Sequence, residues 1–119
     1  NLPSENKFFL VERTFADIFT YALVTVGPFN QYSAWLNQYY EKCKEAQKIF
    51  SAVIYLSGRD YVPEDDGVRS INTHFSNMVD NLVVKYNREF SFNTLFQITD
   101  PYLYDRVSQV KEIGYKHVN

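Results

Sequence analysis

The stretch from Asn30 to Gly58, NQYSAWLNQYYEKCKEAQKIFSAVIYLSG, decides how this chain is read. Tyr32, Trp35, Leu36, Tyr39, Cys43, Ala46, Phe50, Val53 and Ile54 fall at gaps of three and four, on one stripe of a helix with 3.6 residues per turn. Glu41, Lys42, Lys44, Glu45, Gln47 and Lys48 take the opposite, solvated side. At 1.5 Å per residue the spacing predicts a helix roughly 40 Å long, enough to cross a small domain. The stretch holds the only tryptophan and the only cysteine, so Trp35 is read as the anchor of the core. Its last part, SAVIYL, is also good strand material.

Outward from this stretch, the chain reads as further amphipathic helices. Ser4 is placed to cap a first helix whose apolar face is Phe8, Val11, Phe15, Ile18, Phe19, Ala22 and Val26, stopped by Gly27-Pro28. After the central helix, Arg59 to Gly67 holds Pro63 and three consecutive acids and reads as an exposed loop. Val68, Ile71, Phe75, Met78, Val79, Leu82, Val83 and Tyr86 mark a third helix. Residues Asn87 to Thr99 read as a loop with one helical turn at Thr94 to Ile98. Asp100 as cap and Pro101 at the first helical position start a last helix, with Leu103, Val107, Val110 and Ile113 inward. The expectation is an all-α, single compact domain over 1–119, with four to six helices around the long central one.

Composition narrows the function classes. A chain of 119 residues, 45% hydrophobic and 22% charged, suits one soluble domain. Twelve basic against fourteen acidic residues argue against a broad phosphate-binding surface, so nucleic acid is not the expected partner. The aromatic share of 18% includes ten tyrosines, which favour interfaces when their hydroxyls lack buried partners. One cysteine excludes an internal disulfide and a multi-cysteine metal site, and fits a cytoplasmic setting. Phe8 to Val26 carries Glu12, Arg13 and Asp17, which rules out a membrane span there, and no signal peptide is visible. Asn1 in place of an initiator methionine suggests an excised or processed chain.

Few residues point to chemistry. Cys43 reads as a small buried hydrophobe, since neither histidine is placed to serve as its base. Glu64, Asp65 and Asp66 lack the alternating oxygens and twelfth-position Glu of an EF-hand loop. No phosphate loop, cofactor motif or paired-carboxylate signature stands out, so no cofactor is expected. The sharpest local pattern, Arg69-Ser-Ile-Asn-Thr-His74, resembles the Arg-x4-His motif of the HEPN family of helical ribonucleases. That likeness implies Arg69 and His74 acting on an RNA phosphate. Five residues on a helix turn them ~140° apart, so the family brings such residues together by dimerisation.

A more diffuse likeness spans about ninety residues. Asn30-Gln31 before Ala34-Trp35, Gln38-Tyr39-Tyr40-Glu41-Lys42, Ala46-Gln-Lys-Ile49-Phe50, the acidic Val62 to Arg69 segment, and Asp100-Pro-Tyr102-Leu-Tyr104-Asp-Arg106-Val107 follow one another in that order. In order and rough spacing this resembles the RGS domains, regulators of G-protein signalling. The resemblance implies a non-enzymatic partner-binding module. Asn30, Gln31, Glu64, Asp100, Tyr102 and Arg106 would then face the switch segments of a Gα subunit and favour one of its states. The linker after the Trp35 helix is shorter than the family's, and a break near Glu41 to Glu45 would mark two family helices run together.

Overall fold

The computed structural model describes residues 9–56 and 72–117. Their order is α1 (Phe15–Val26), a 3₁₀ turn at Asn30–Tyr32, α2 (Ser33–Ala46), a second 3₁₀ turn at Gln47–Ile49, β1 (Val53–Leu56), α3 (Thr73–Phe90), β2 (Leu95–Ile98) and α4 (Leu103–His117). The fold is mostly helical, as expected. It is not all-α: β1 and β2 pair in parallel, with Val53 opposite Leu95 and Leu56 opposite Ile98.

The long central helix is not one helix. It stops after Ile49, where Phe50 turns extended at φ −82° and ψ 129° and leads into β1. The reason is local. Val53, Ile54 and Tyr55 are β-branched or aromatic and fit a pleated surface better than a helix's last turns. The break falls after Ala46 rather than between Glu41 and Glu45. Gly58 and the acidic loop lie outside the described residues.

The first helix is also shorter than its periodicity suggests. Ser4 and Phe8 lie outside the described residues, but Phe9 to Arg13 are not helical. Thr14 caps α1 instead. Its hydroxyl accepts from Asp17 N at 3.2 Å, while Asp17 Oδ2 accepts from Thr14 N at 3.1 Å. This reciprocal box satisfies two helix-end donors and sets the start of α1. Arg13, just before it, has φ 75°, in the left-handed region that side chains with a Cβ avoid. At the other end, Gly27 is right-handed, and a Cβ there would overlap the Leu23 carbonyl oxygen. Glycine ends α1 by close approach, not by a left-handed turn.

The third helix runs later than its hydrophobic pattern implies. Val68 and Ile71 lie outside the described residues; Asn72 caps α3 by accepting from Phe75 N at 3.1 Å. The helix continues through Asn87 to Phe90, and the helical turn expected at Thr94 to Ile98 is strand β2. α4 begins after Pro101. Asp100 Oδ1 accepts from Tyr102 N at 2.9 Å, so Asp100 shapes the turn before the helix. The inward face of α4 is Arg106, Val110, Ile113 and Gly114, whereas Leu103 and Val107 are exposed.

Ala16, Phe19, Leu36, Cys43 and Phe90 form the core between α1, α2 and α3. Phe19 is its centre: Tyr86 meets its ring edge-on at 5.0 Å and Tyr40 at 5.4 Å. Trp35 is not the anchor. It is 47% exposed and stacks on Tyr39 at 4.8 Å, while its neighbour Leu36 is buried. Among the described residues, no helix is long and apolar enough to cross a membrane.

Candidate functional site

The strand pair positions the site. In a parallel ladder each residue turns its backbone groups alternately to one neighbour and the other. Val53 N donates to Thr94 O at 2.9 Å, so Val53 and Tyr55 address β2. Ile54 and Leu56 therefore turn their N–H and C=O to the opposite edge. Beside β1 lies a cavity of about 540 Å³. One wall is the run Ile49 to Leu56 and the other is Phe9 to Val11, which is neither helix nor strand, with Val83 of α3 also in the lining. No β2 residue is among the described residues that line it.

The two faces of the strand pair are both approached by helices. His117 of α4 packs its ring on Phe96 at 4.5 Å, on the face shared by Ile54 and Leu56. On the other face, burial and then the Asp80 carboxylate of α3 push the Tyr55 hydroxyl above its usual range. The outer edge of β1 has no strand partner among the described residues.

The rim of the groove is apolar and open. Phe9, Leu10 and Val11 are 76%, 69% and 65% exposed, and Ile49 and Leu56 are also exposed. Its polar end is Arg13, Thr14, Asp17 and Asn87, and these side chains are engaged. Arg13 Nη1 donates to the Tyr21 hydroxyl at 3.4 Å, with the guanidinium over the Tyr21 ring. Asp17 Oδ1 accepts from Asn87 Nδ2 at 2.9 Å, and its other oxygen caps α1.

Behind this end lies a buried polar network. Gln47, 1% exposed, accepts from Ala16 N at 2.8 Å and donates to Asn87 Oδ1 and Ser91 Oγ. Asn87 Oδ1 also accepts from the Thr14 hydroxyl at 2.8 Å, and Asn87 Nδ2 donates to Val83 O. The network ties the start of α1, the turn after α2 and the end of α3, and so fixes the polar end of the groove. Among the described residues, no buried side-chain nitrogen or oxygen lacks a partner.

These residues are not the ones the sequence singles out. Gln47 is assigned to the solvated side, Asn87 to a loop and Thr14 to a helix interior, yet all three build the network. The Thr14-x-x-Asp17 spacing is the one legible signal among them. Asn30 and Gln31 lie exposed in the 3₁₀ turn before α2. Asp100, Tyr102 and Arg106 come together at the start of α4: Tyr102 is exposed, while Arg106 is buried and its Nε donates to Asp100 O. His74 is exposed in the first turn of α3; Arg69 and Glu64 lie outside the described residues. Cys43 is buried beside Tyr39, and burial pushes its thiol up, away from the reactive thiolate. Among the described residues, no group of three His, Cys, Asp or Glu stands ready to hold a metal ion.

The site thus combines a strand edge unpaired among the described residues, an apolar rim, and polar groups already paired. Compared with models of protein families, with curated proteins and with solved structures, the chain matches none.

Proposed function

We propose that the chain is a non-enzymatic protein–protein interaction module whose contact surface is the groove along the open edge of β1. The observation that supports this best is the gathering of Phe9, Leu10, Val11, Ile49 and Leu56, each half exposed or more, around that one edge. Apolar surface collected in one place and rimmed by polar residues is the usual mark of an interaction site. A strand edge beside it adds main-chain hydrogen bonds to apolar contact, the mode of strand addition. A Gα-type subunit, the partner implied by the RGS resemblance, is a candidate within this proposal on sequence likeness alone.

The test is selection of displayed twelve-residue peptides on the wild type and on Ile54→Pro. Ile54 turns its N–H away from β2, so proline there blocks the outer edge and leaves the β1–β2 ladder whole. Peptides with alternating apolar residues that bind the wild type and lose binding to Ile54→Pro support the groove. Peptides that bind both equally overturn it. The transition-state-mimic form of a Gα subunit is measured alongside. Gα binding retained in Ile54→Pro moves the surface to the loop ends at Asn30 and Asp100.

A further inference from the structure

The groove makes two demands on its occupant. Among the described residues its charged lining is Arg13 and Asp17, and both are engaged within the chain. Ile54 and Leu56 also present backbone donors and acceptors that an apolar small molecule or a helix face cannot meet. An uncharged, apolar, extended segment meets both.

The chain carries such a segment at the groove's own rim. Phe9-Leu10-Val11 is apolar, uncharged, without helix or strand, and mostly exposed. Among the described residues, no backbone hydrogen bond joins it to β1. Its path is set at Arg13, held at φ 75° directly before the locked cap at Thr14. A hinge in that left-handed region is strained, and strained hinges favour exchange of an arm between copies. Swinging the arm out releases Arg13 to ordinary φ and leaves the cap intact.

Resting on the groove proposal above, we infer that the occupant is the Phe9–Val11 arm of a second copy of this chain, exchanged reciprocally and added to the open edge of β1. Each arm and rim side chain hides on the order of 100 Å². Two arms with Ile49 and Leu56 of both copies then bury roughly 1,000 Å², the lower end for a specific dimer.

The experiment is analytical ultracentrifugation of the full chain across micromolar concentrations, for the wild type and Leu10→Asp. Leu10 is exposed in the single copy, so the aspartate leaves folding intact but puts a charge into the partner's groove. The expected result is a wild-type mass rising to twice the 14.0 kDa chain mass, with Leu10→Asp associating about tenfold more weakly or not at all. Dimerisation of Leu10→Asp as tight as the wild type overturns the exchange. A wild type that stays monomeric yet binds the displayed peptides also overturns it and leaves the groove to a foreign strand. A monomer that binds no peptide overturns both proposals.

Discussion

The carboxamides of Gln47 and Asn87 meet at 3.1 Å across 40 residues of chain, with Gln47 Nε2 donating to Asn87 Oδ1. Each amide also reaches a further element: Gln47 takes the Ala16 N–H, and Asn87 gives to Asp17 and to Val83 O. Neither side chain has a water-facing alternative, because Gln47 is buried to 1% and Asn87 to 4%.

Gln47→Leu should therefore cost more than its change in hydrophobicity suggests. It strands the buried Ala16 N–H, and it takes away a donor each from Asn87 Oδ1, which keeps the Thr14 hydroxyl, and from Ser91 Oγ. A loss of about 2–4 kcal/mol is expected in urea denaturation. In a double-mutant cycle with Asn87→Ala, the combined loss should fall short of the sum of the single losses, because both changes break one network. Strict additivity would show that the two amides are energetically independent.

Trp35→Ala should be mild and Phe19→Ala severe. Trp35 is nearly half exposed and contributes chiefly its stack on Tyr39, so about 1 kcal/mol is expected. Phe19 is 4% exposed inside a ring cluster, and its removal leaves a cavity expected to cost about 3–5 kcal/mol. Thermal melts of the two variants check the order directly.

The surface cluster of Tyr40, Glu89 and Lys85 gives the chain a pH signature at both extremes. Glu89 accepts from the Tyr40 hydroxyl at 2.7 Å and from Lys85 Nζ at 2.8 Å. The bond to Glu89 and then burial push Tyr40 up to about 12. Lys85 first, and then Tyr40, hold Glu89 below its usual 4.5. A raised folded-state pKa stabilises fully below the unfolded value, so the Tyr40 contribution is present below pH 10 and is lost between 10 and about 12. A lowered one works in reverse: the Glu89 contribution is present above pH 4.5 and fades below it. Glu89→Gln should flatten both limbs of a stability–pH curve, and a curve unchanged by Glu89→Gln would exclude the cluster as their cause.

Arg13→Gly should raise the melting temperature of the single copy by a few degrees. Glycine takes the left-handed conformation without the Cβ clash, and that relief is expected to outweigh both the loss of the exposed Tyr21 contacts and the freedom added to the unfolded chain. Arg13→Ala is the control. It keeps the Cβ and loses the Tyr21 contacts, so it should melt at or below the wild type.

Much of the helical framework is legible in the spacing of apolar residues, yet the stripes hold only in part: Val79, Leu82, Val83 and Tyr86 of α3 and Val110 and Ile113 of α4 turn inward, while Phe75, Met78, Leu103 and Val107 are exposed. Periodicity does not say where a stripe ends. Val53 and Ile54 continue the helical period of α2, yet their strand preference and the pairing with Leu95 to Ile98 win, and that pairing is a long-range fact. Periodicity also cannot rank residues within a stripe, so Trp35 looks like the anchor although Leu36 and Phe19 are the buried ones. The network escapes for a different reason. Gln47 and Asn87 are polar residues whose burial depends on partners in other elements, and only the assembled helices supply them. The groove rim escapes in a related way, since Phe9 to Val11 read as part of the first helix until the box at Thr14 is recognised as its start.

The parallel pairing of β1 and β2 carries a consequence for the order in which the chain acquires its shape. Strands that run the same way cannot be joined by a tight turn, and α3 lies in the connection between them. Four residues a side are too few to hold the ends of so long a loop unaided. The three-helix cluster around Phe19, locked by Gln47 and Asn87, brings Phe50 and Leu95 near one another before the ladder can close. The sheet is then expected to form after the three-helix cluster and to open before it. In native-state hydrogen exchange, the β1 amides should exchange well before those of α1 and the second half of α3.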